Sequence, residues 1–296
     1  MVTPIEISAC TAGERAELLH RLDEEFIFSR GRQVGIEARF PEAMRSEQSV
    51  LLCARTGHRI IGGLLLRFFE WTGTDSLRAH RGAMIGLVWT DAEHRAQGIA
   101  TSLMKSAARE ARQEGCEFAV LWTAQSAFYA RLGWIGADCG MFGSLETGGE
   151  SAKTATSLES YDCGDITRLE SLRMMQPGRR VGASALRFET LLPPATQSDV
   201  LVEDGSYAVT GKLGNTGYVY EIGGAQGGMP RIWSILRARY RQLYINVPKD
   251  AAAHRMLGAD PAIHWREQRL AMWLPLADDA RGYPYDEWYV PFLDRI

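Results

Sequence analysis

Apolar and polar positions alternate along the first half of the chain with two periods. From Gly13 to about Arg30, Leu18, Leu19, Leu22 and Phe26 recur at helical spacing between Arg and Glu residues, which predicts an amphipathic helix. Two apolar runs, Ser49 to Arg55 and Arg59 to Phe69, are split by Thr56-Gly57-His58 and predict an antiparallel hairpin. Ala83 to Trp89 predicts a buried strand. In the stretch Ile99 to Glu114, Ile99, Leu103, Ala107 and Ala111 share one helical face, and Gly115 suits the helix end. Phe118 to Trp122 is a short all-apolar strand, so the chain returns from helix to strand as in a parallel or mixed sheet covered by helices. Ala127 to Leu132 predicts a short helix closed by Gly133.

Between Gly143 and Ser160 the chain turns to Gly, Ser, Thr and Glu, which marks a linker. The expected division is a first domain over 1–146, a linker over 147–160 and a second domain over 161–296. The second half repeats the order of the first. Asp199 to Val202 and Tyr207 to Thr210 match the hairpin, Gly217 to Ile222 the buried strand, and Ala225-Gln226-Gly227 echoes Ala96-Gln97-Gly98. A helix from Ile232 to Tyr240, a strand from Leu243 to Val247 and a short helix from Ala251 to Leu257 follow. A tandem duplication accounts for this order; an unrelated α+β domain is the competing reading. The tail from Tyr283 to Phe292 is too aromatic to hang in water and is expected to dock on a domain surface.

Composition narrows the chemistry. The chain has 296 residues, 46% of them hydrophobic and 23% charged, which suits two globular domains. No apolar run reaches the roughly 20 residues of a membrane span, and the amino terminus lacks a basic start before an apolar stretch, so a cytoplasmic location is expected. A net charge of −3 gives no reason to expect nucleic acid or an anionic membrane as partner. The five cysteines, Cys10, Cys53, Cys116, Cys139 and Cys163, show no CxxC spacing and point to neither a disulfide framework nor a zinc site. His20 and His94 lack a paired ligand, so no metal is expected. Arg231, Arg237, Arg239 and Arg241 read as a solvated helix face.

The segment of chemical interest follows Trp89: Thr90-Asp91-Ala92-Glu93-His94-Arg95-Ala96-Gln97-Gly98-Ile99-Ala100-Thr101 leads from a strand into a helix. Such a loop offers unpaired N–H groups and the positive end of a helix dipole to a phosphate. Gly98 permits close approach and Arg95 adds positive charge. Gly223 to Pro230 could be a second such loop, but it lacks a counterpart of Arg95, and Pro230 has no N–H to offer.

Arg95-x-x-Gly98-x-Ala100, followed by a strand and then by Phe128-Tyr129-Ala130-Arg131-Leu132-Gly133-Trp134, resembles the GNAT acyltransferase superfamily over roughly residues 1–142. The departure is Ala100, where the family often has Gly. The resemblance implies an α/β (α+β mixed-sheet) GNAT fold in tandem, the second copy degenerate, and acetyl-CoA or another acyl-CoA as co-substrate. It places the cofactor on Leu87, Val88, Trp89 and Thr90, on Arg95, Ala96, Gln97, Gly98, Ile99, Ala100 and Thr101, and on Ser126. It makes Tyr129 the acid that protonates the departing thiolate. A main-chain donor on Leu87-Val88-Trp89 would stabilise the oxyanion. The implied activity is acyl transfer to a primary amine on a small molecule or peptide, and an amine must lose its proton before it attacks. The strand Ala83 to Trp89 has no carboxylate where many members carry Glu, so Asp23, Glu24, Glu25, Glu70 or an ordered water remain as the base. The alternatives are a non-catalytic CoA-binding module and an O-acyltransferase of the same fold.

Overall fold

A computed structural model of the chain describes residues 4–40, 43–44, 47–72, 78–147, 169, 171–173, 180–181, 197–225 and 227–295. The first-half elements are β1 (Ile5–Ala9), α1 (Ala12–Phe26), α2 (Ile36–Arg39), β2 (Ser49–Thr56), β3 (Arg59–Thr72), β4 (Ala79–Thr90), α3 (Ile99–Gln113), β5 (Phe118–Trp122), α4 (Ser126–Ala130), β6 (Ile135–Gly136) and β7 (Gly140–Glu146). Then come β8 (Arg180–Val181), β9 (Gln197–Glu203), β10 (Ser206–Leu213), β11 (Thr216–Gly224), α5 (Met229–Arg239), β12 (Gln242–Pro248), α6 (Ala252–Gly258), β13 (His264–Glu267) and β14 (Ala271–Pro275). The predicted hairpins, helices and strands of both halves are present, with ends shifted by a few residues. The echo at Gln226 and the linker beyond Thr147 lie outside the described residues, as does Cys163.

The β3 run Leu64-Leu65-Leu66 shows why its apolar stretch is continuous. Leu64 and Leu66 pack with α3 residues such as Leu103 and Ala107, while Leu65 packs with Leu18 and Leu22 of α1 on the opposite face. Both faces of the sheet are covered, so alternation sorts residues between two cores rather than between core and water. Helix α1 opens on a capping box in which the Thr11 hydroxyl accepts from the Glu14 N–H and the Glu14 carboxylate accepts from the Thr11 N–H.

The division of the chain is the main departure from the sequence reading. The first sheet runs β1-β2-β3-β4-β5-β14-β6, with β8 beside β3, and the second runs β13-β7-β12-β11-β10-β9. Strand β7 lies before the expected boundary yet pairs with β12, Leu145 opposite Leu243. Strand β14 comes from the last part of the chain yet pairs with β5, Trp273 opposite Val120. The halves therefore exchange strands, and a cut at residue 147 would strip β14 and β8 from the first sheet and β7 from the second. Asp138 secures the exchange: its Oδ1 accepts from Gly140 N at 2.8 Å, and its Oδ2 from Leu270 N at 3.0 Å and Ala271 N at 3.1 Å. Asp138→Ala orphans these donors and is expected to cost about 2 kcal/mol, lowering Tm by about 5 °C in a thermal melt.

The aromatic tail is core. Tyr285, Trp288 and Val290 are buried with Phe69, Trp71, Phe118 and Trp273 over one end of the first sheet. The Trp288 ring lies 4.3 Å from that of Trp71 and 5.2 Å from that of Phe118. Glu117 anchors the start of the tail, accepting from the Tyr283 hydroxyl and lying 3.1 Å from His80 Nδ1. Among the described residues, no helix is long and apolar enough to cross a membrane.

Candidate active site

Strands β4 and β5 pair in parallel only from Gly82, Ala83 and Met84 to Phe118, Ala119 and Val120. Beyond Met84 this pairing stops, while β5 keeps β14 on its other edge and β4 keeps its pairing with β3. On the β3 side, Leu65 faces Gly86 and Gly63 faces Trp89, so β4 carries one extra residue between these pairs. This is a β-bulge at Leu87 and Val88, and Leu87 takes the left-handed conformation at φ 55°. From Ile85 to Thr90 the outer edge of β4 has no strand partner among the described residues. Its amide groups are open to an extended ligand that carries amides of its own.

Thr90 leads directly to the loop that enters α3. Asp91 Oδ1 accepts from Glu93 N at 3.0 Å and shapes the turn, while Arg59 Nη2 lies 3.2 Å from Asp91 and 3.0 Å from Glu93. Asp91, Glu93 and His94 converge closely enough to face a single cation, but Arg59 already balances the two carboxylates. Arg95, Ala96, Gln97 and Gly98 are exposed, with Ala96 at φ 62° and Gly98 at φ 81°. Gly98 is the N-cap of α3 and no side chain caps this helix. Nothing lies within 4 Å of where a Gly98 Cβ would stand, and the first-turn N–H groups of Ile99, Ala100 and Thr101 have no intrahelical acceptor. Arg95 folds back over the end of β4, its Nε donating to Thr90 O at 3.2 Å and its Nη2 to Glu25 Oε1 at 3.1 Å. Gln97 Nε2 donates to Glu93 O at 3.2 Å.

Tyr129 sits on α4, just past the end of β5, where the divergence opens. It packs in one cluster with Ile99, Leu103, Trp134 and Met272, and Val88 packs against that cluster. The Phe128 ring lies 4.9 Å away and the Trp134 ring 6.1 Å. Burial pushes the Tyr129 hydroxyl above its ordinary pKa of 10.0, so it keeps its proton at neutral pH. Leu87 and Trp89 pack on the α1 face instead, and Ser126 is exposed at the start of α4. The structure thus brings Val88 of the β4 bulge, Ile99 of the first turn of α3 and Tyr129 together in one cluster.

The four candidate carboxylates fare differently. Asp23 Oδ1 accepts from Ile36 N at 2.6 Å and caps α2. Glu25 is engaged by Arg95, and Glu24 is exposed. Glu70 pairs opposite Arg81 while Gly62 pairs opposite Thr90, which puts Glu70 at the other end of β3, about 25 Å from the opening. The Glu25–Arg95 pair and the strained Leu87 are features that sequence reasoning missed; an acidic residue on an amphipathic helix carries no mark of its partner.

The second half repeats the divergence without the cradle. Strand β11 pairs with β12 only from Thr216 to Val219. Beyond it lies a cleft of about 550 Å³, open solvent included, whose walls include Tyr220 and Glu221 and the tail residues Tyr289, Pro291 and Phe292. Phe292 stacks on Tyr220 at 5.4 Å. At the head of α5, a Cβ on Gly228 would strike the Glu203 carbonyl, Pro230 stands in the first turn, and Arg231 is paired to Glu203 at 2.6 Å. Where the first copy is open, this one is filled by its own chain.

A splayed mixed sheet with an open helix amino terminus at the parting strands, present once intact and once degenerate, is a tandem GNAT-type fold. The model of the acetyltransferase (GNAT) family matches residues 15–134. No curated protein matches the sequence. Among solved structures, a GCN5-related N-acetyltransferase from Kribbella flavida superposes with a TM-score of 0.68 at 16% identity, over 94% of this chain and 73% of its own. A probable N-acyltransferase from Enterococcus faecalis gives 0.74 at 11% identity, over 93% and 73%. A tandem GNAT protein from the clavulanic acid biosynthesis pathway gives 0.58 at 12% identity, over 93% and 99%. At these identities the likeness is one of fold.

Proposed function

We propose that the chain transfers an acetyl or other acyl group from an acyl-CoA to a primary amine, with its chemistry in the first domain. The observation that carries this reading is the divergence of β4 from β5 beside an uncapped, exposed helix amino terminus. The main chain of Leu87, Val88, Trp89 and Thr90 would hold the pantetheine amides. The N–H groups from Gln97 to Thr101, with Arg95, would hold the diphosphate, and Ser126 flanks the arm. The thioester, once bound, supplies the activated acyl carbon. An N–H freed by the Leu87 bulge polarises its carbonyl, and the protonated Tyr129 hydroxyl gives its proton to the departing sulfur. With the four carboxylates engaged, exposed or distant, water takes the proton of the amine. The second domain, joined by strand exchange and by the tail, would wall the acceptor side.

The test is acetyl-CoA turnover with a panel of amines and matched alcohols, following released thiol and identifying the product. Amine-dependent thiol release with one amide formed per thiol is the expected result. Release with alcohols alone, or none with any acceptor, overturns the reading.

Glu25 competes with the diphosphate for Arg95 in this scheme. Both side chains are substantially exposed, at 43% and 55%, so the pair itself is worth little. Glu25→Gln is expected to lower the KM for acetyl-CoA by up to about fivefold with kcat unchanged. A fall in kcat instead would make Glu25 the base.

A further inference from the structure

The aromatic tail carries a charged group to the place where the β4–β5 pairing stops. Counted on from Met84 opposite Val120, Trp122 is level with Gly86, one residue before the bulge at Leu87. Trp122 packs with Phe118 and Val120 against Phe69 and Trp71, which share the β3 face of Leu65, and Leu65 packs with Leu18 of α1. Trp122 therefore stands on the α1 face, while its neighbour Leu121 packs with Tyr129 on the α3 face. Half-buried Arg295 lies over Trp122: its Cζ is 4.8 Å from the Trp122 ring, 5.2 Å from that of Tyr289 and 5.9 Å from that of Phe292. Its Nε donates to Val290 O at 2.9 Å, which sets the direction of the fork. Among the described residues, no carboxylate pairs with Arg295 and its Nη groups have no acceptor.

The acids of the adjoining elements are already engaged. Asp294, next to Arg295 in the tail, is buried 3.4 Å from Arg173, and Glu37 of α2 lies 3.6 Å from Arg15. Arg39, at the end of α2, brings a second cation within electrostatic reach of Tyr220, the ring on which Phe292 stacks. Burial draws the Arg39 pKa down, and the like charge of Arg32 draws it further. Among the described residues, neither Arg39 nor Arg32 has a carboxylate partner. Arginines gathered without acids of their own leave a positive potential that suits an anion.

In the mechanism given above, the diphosphate at the head of α3 and the Tyr129 hydroxyl both lie on the α3 face, so the amine reaches the thioester from the α1 face. We propose that Arg295 binds a carboxylate on the acceptor, so that the substrate is an amino acid or a related primary amine bearing a carboxylate, an inference that rests on the acyltransferase reading. A guanidinium held over aromatic rings keeps its N–H groups at its edge, where a planar carboxylate meets two of them at once. The rings also shield the pair from water, which strengthens it. With its carboxylate held beside Trp122, the acceptor has its amine end free to enter beside the Leu87 bulge. Arg39 adds attraction at longer range without a direct bond.

The experiment follows thiol release and product mass for the full chain with acetyl-CoA and matched pairs of acceptors, each an amino acid and its carboxamide, from α-amino acids to longer ω-amino acids. The acid of at least one pair is expected to exceed its amide by more than about tenfold in kcat/KM. Arg295→Gln is expected to bring that ratio close to one, chiefly by raising KM for the acid, with the acetyl-CoA affinity unchanged in calorimetric titration. Arg295→Lys keeps the charge and should retain part of the preference. Amides that turn over as well as their acids, or an Arg295→Gln variant that slows both alike, overturn the proposal and leave the acyltransferase reading standing. Absence of transfer to any amine overturns both.

Discussion

Gly98→Asp is expected to abolish acetyl-CoA binding in a protein that still folds. Gly98 holds φ 81° at the head of α3, and a Cβ added there would meet no atom within 4 Å. Asp is among the few residues that tolerate this conformation, and a negative charge at a helix amino terminus gains about 0.3–1 kcal/mol from the dipole. The carboxylate then stands where a diphosphate would need the N–H groups of Ile99, Ala100 and Thr101. It adds steric exclusion and like-charge repulsion to the loss of those donors. Calorimetric titration should show affinity reduced by more than about 100-fold, equal to about 2.7 kcal/mol, with Tm close to that of the parent. Arg95→Ala should give a smaller, salt-sensitive loss, because this exposed guanidinium acts by charge alone. If Gly98→Asp binds within threefold of the parent, the diphosphate lies elsewhere and the first-half loop is only a helix cap.

The helices were legible because each buries one face, and a buried face leaves a period in the sequence; the first hairpin was legible as two continuous apolar runs, since both of its faces are covered. Leu18, Leu19 and Leu22 mark α1, and Ile99, Leu103 and Ala107 mark α3. The loop was legible only as a strand-to-helix connection with Gly98 at the helix start, which the structure shows as the N-cap of α3. What stayed hidden was pairing between distant segments. The pattern of β14 says that it is a strand and not that it belongs beside β5 rather than in the second sheet. Tyr285 and Trp288 announce burial without naming Phe69 and Phe118 as the surface that receives them. The bulge at Leu87 leaves no trace either, since it arises from a register shift against β3 and not from an unusual residue.

That same limit left the general base open, and Tyr129 is where the proposed mechanism can be tested most sharply. Tyr129→Phe removes one hydroxyl and keeps the ring against Phe128 and Trp134, so packing is preserved. If the hydroxyl protonates the departing thiolate, kcat should fall by about 10²–10⁴-fold with the affinity for acetyl-CoA unchanged, as measured by steady-state turnover beside calorimetric titration. The pH profile supplies an independent readout. Burial raises the Tyr129 pKa above 10.0, so the acid form is complete at neutral pH and is lost only as pH climbs through the raised value. The stabilising share of the neutral, buried phenol follows the same sign, present below 10.0 and lost above it. The parent should therefore show an alkaline fall in kcat only above pH 10.0, and Tyr129→Phe should lack that limb. A variant with parental kcat would make Tyr129 a packing residue of α4 and pass the proton to water. A variant that loses kcat and acetyl-CoA affinity together would show that the hydroxyl binds the thioester arm rather than serving the leaving group.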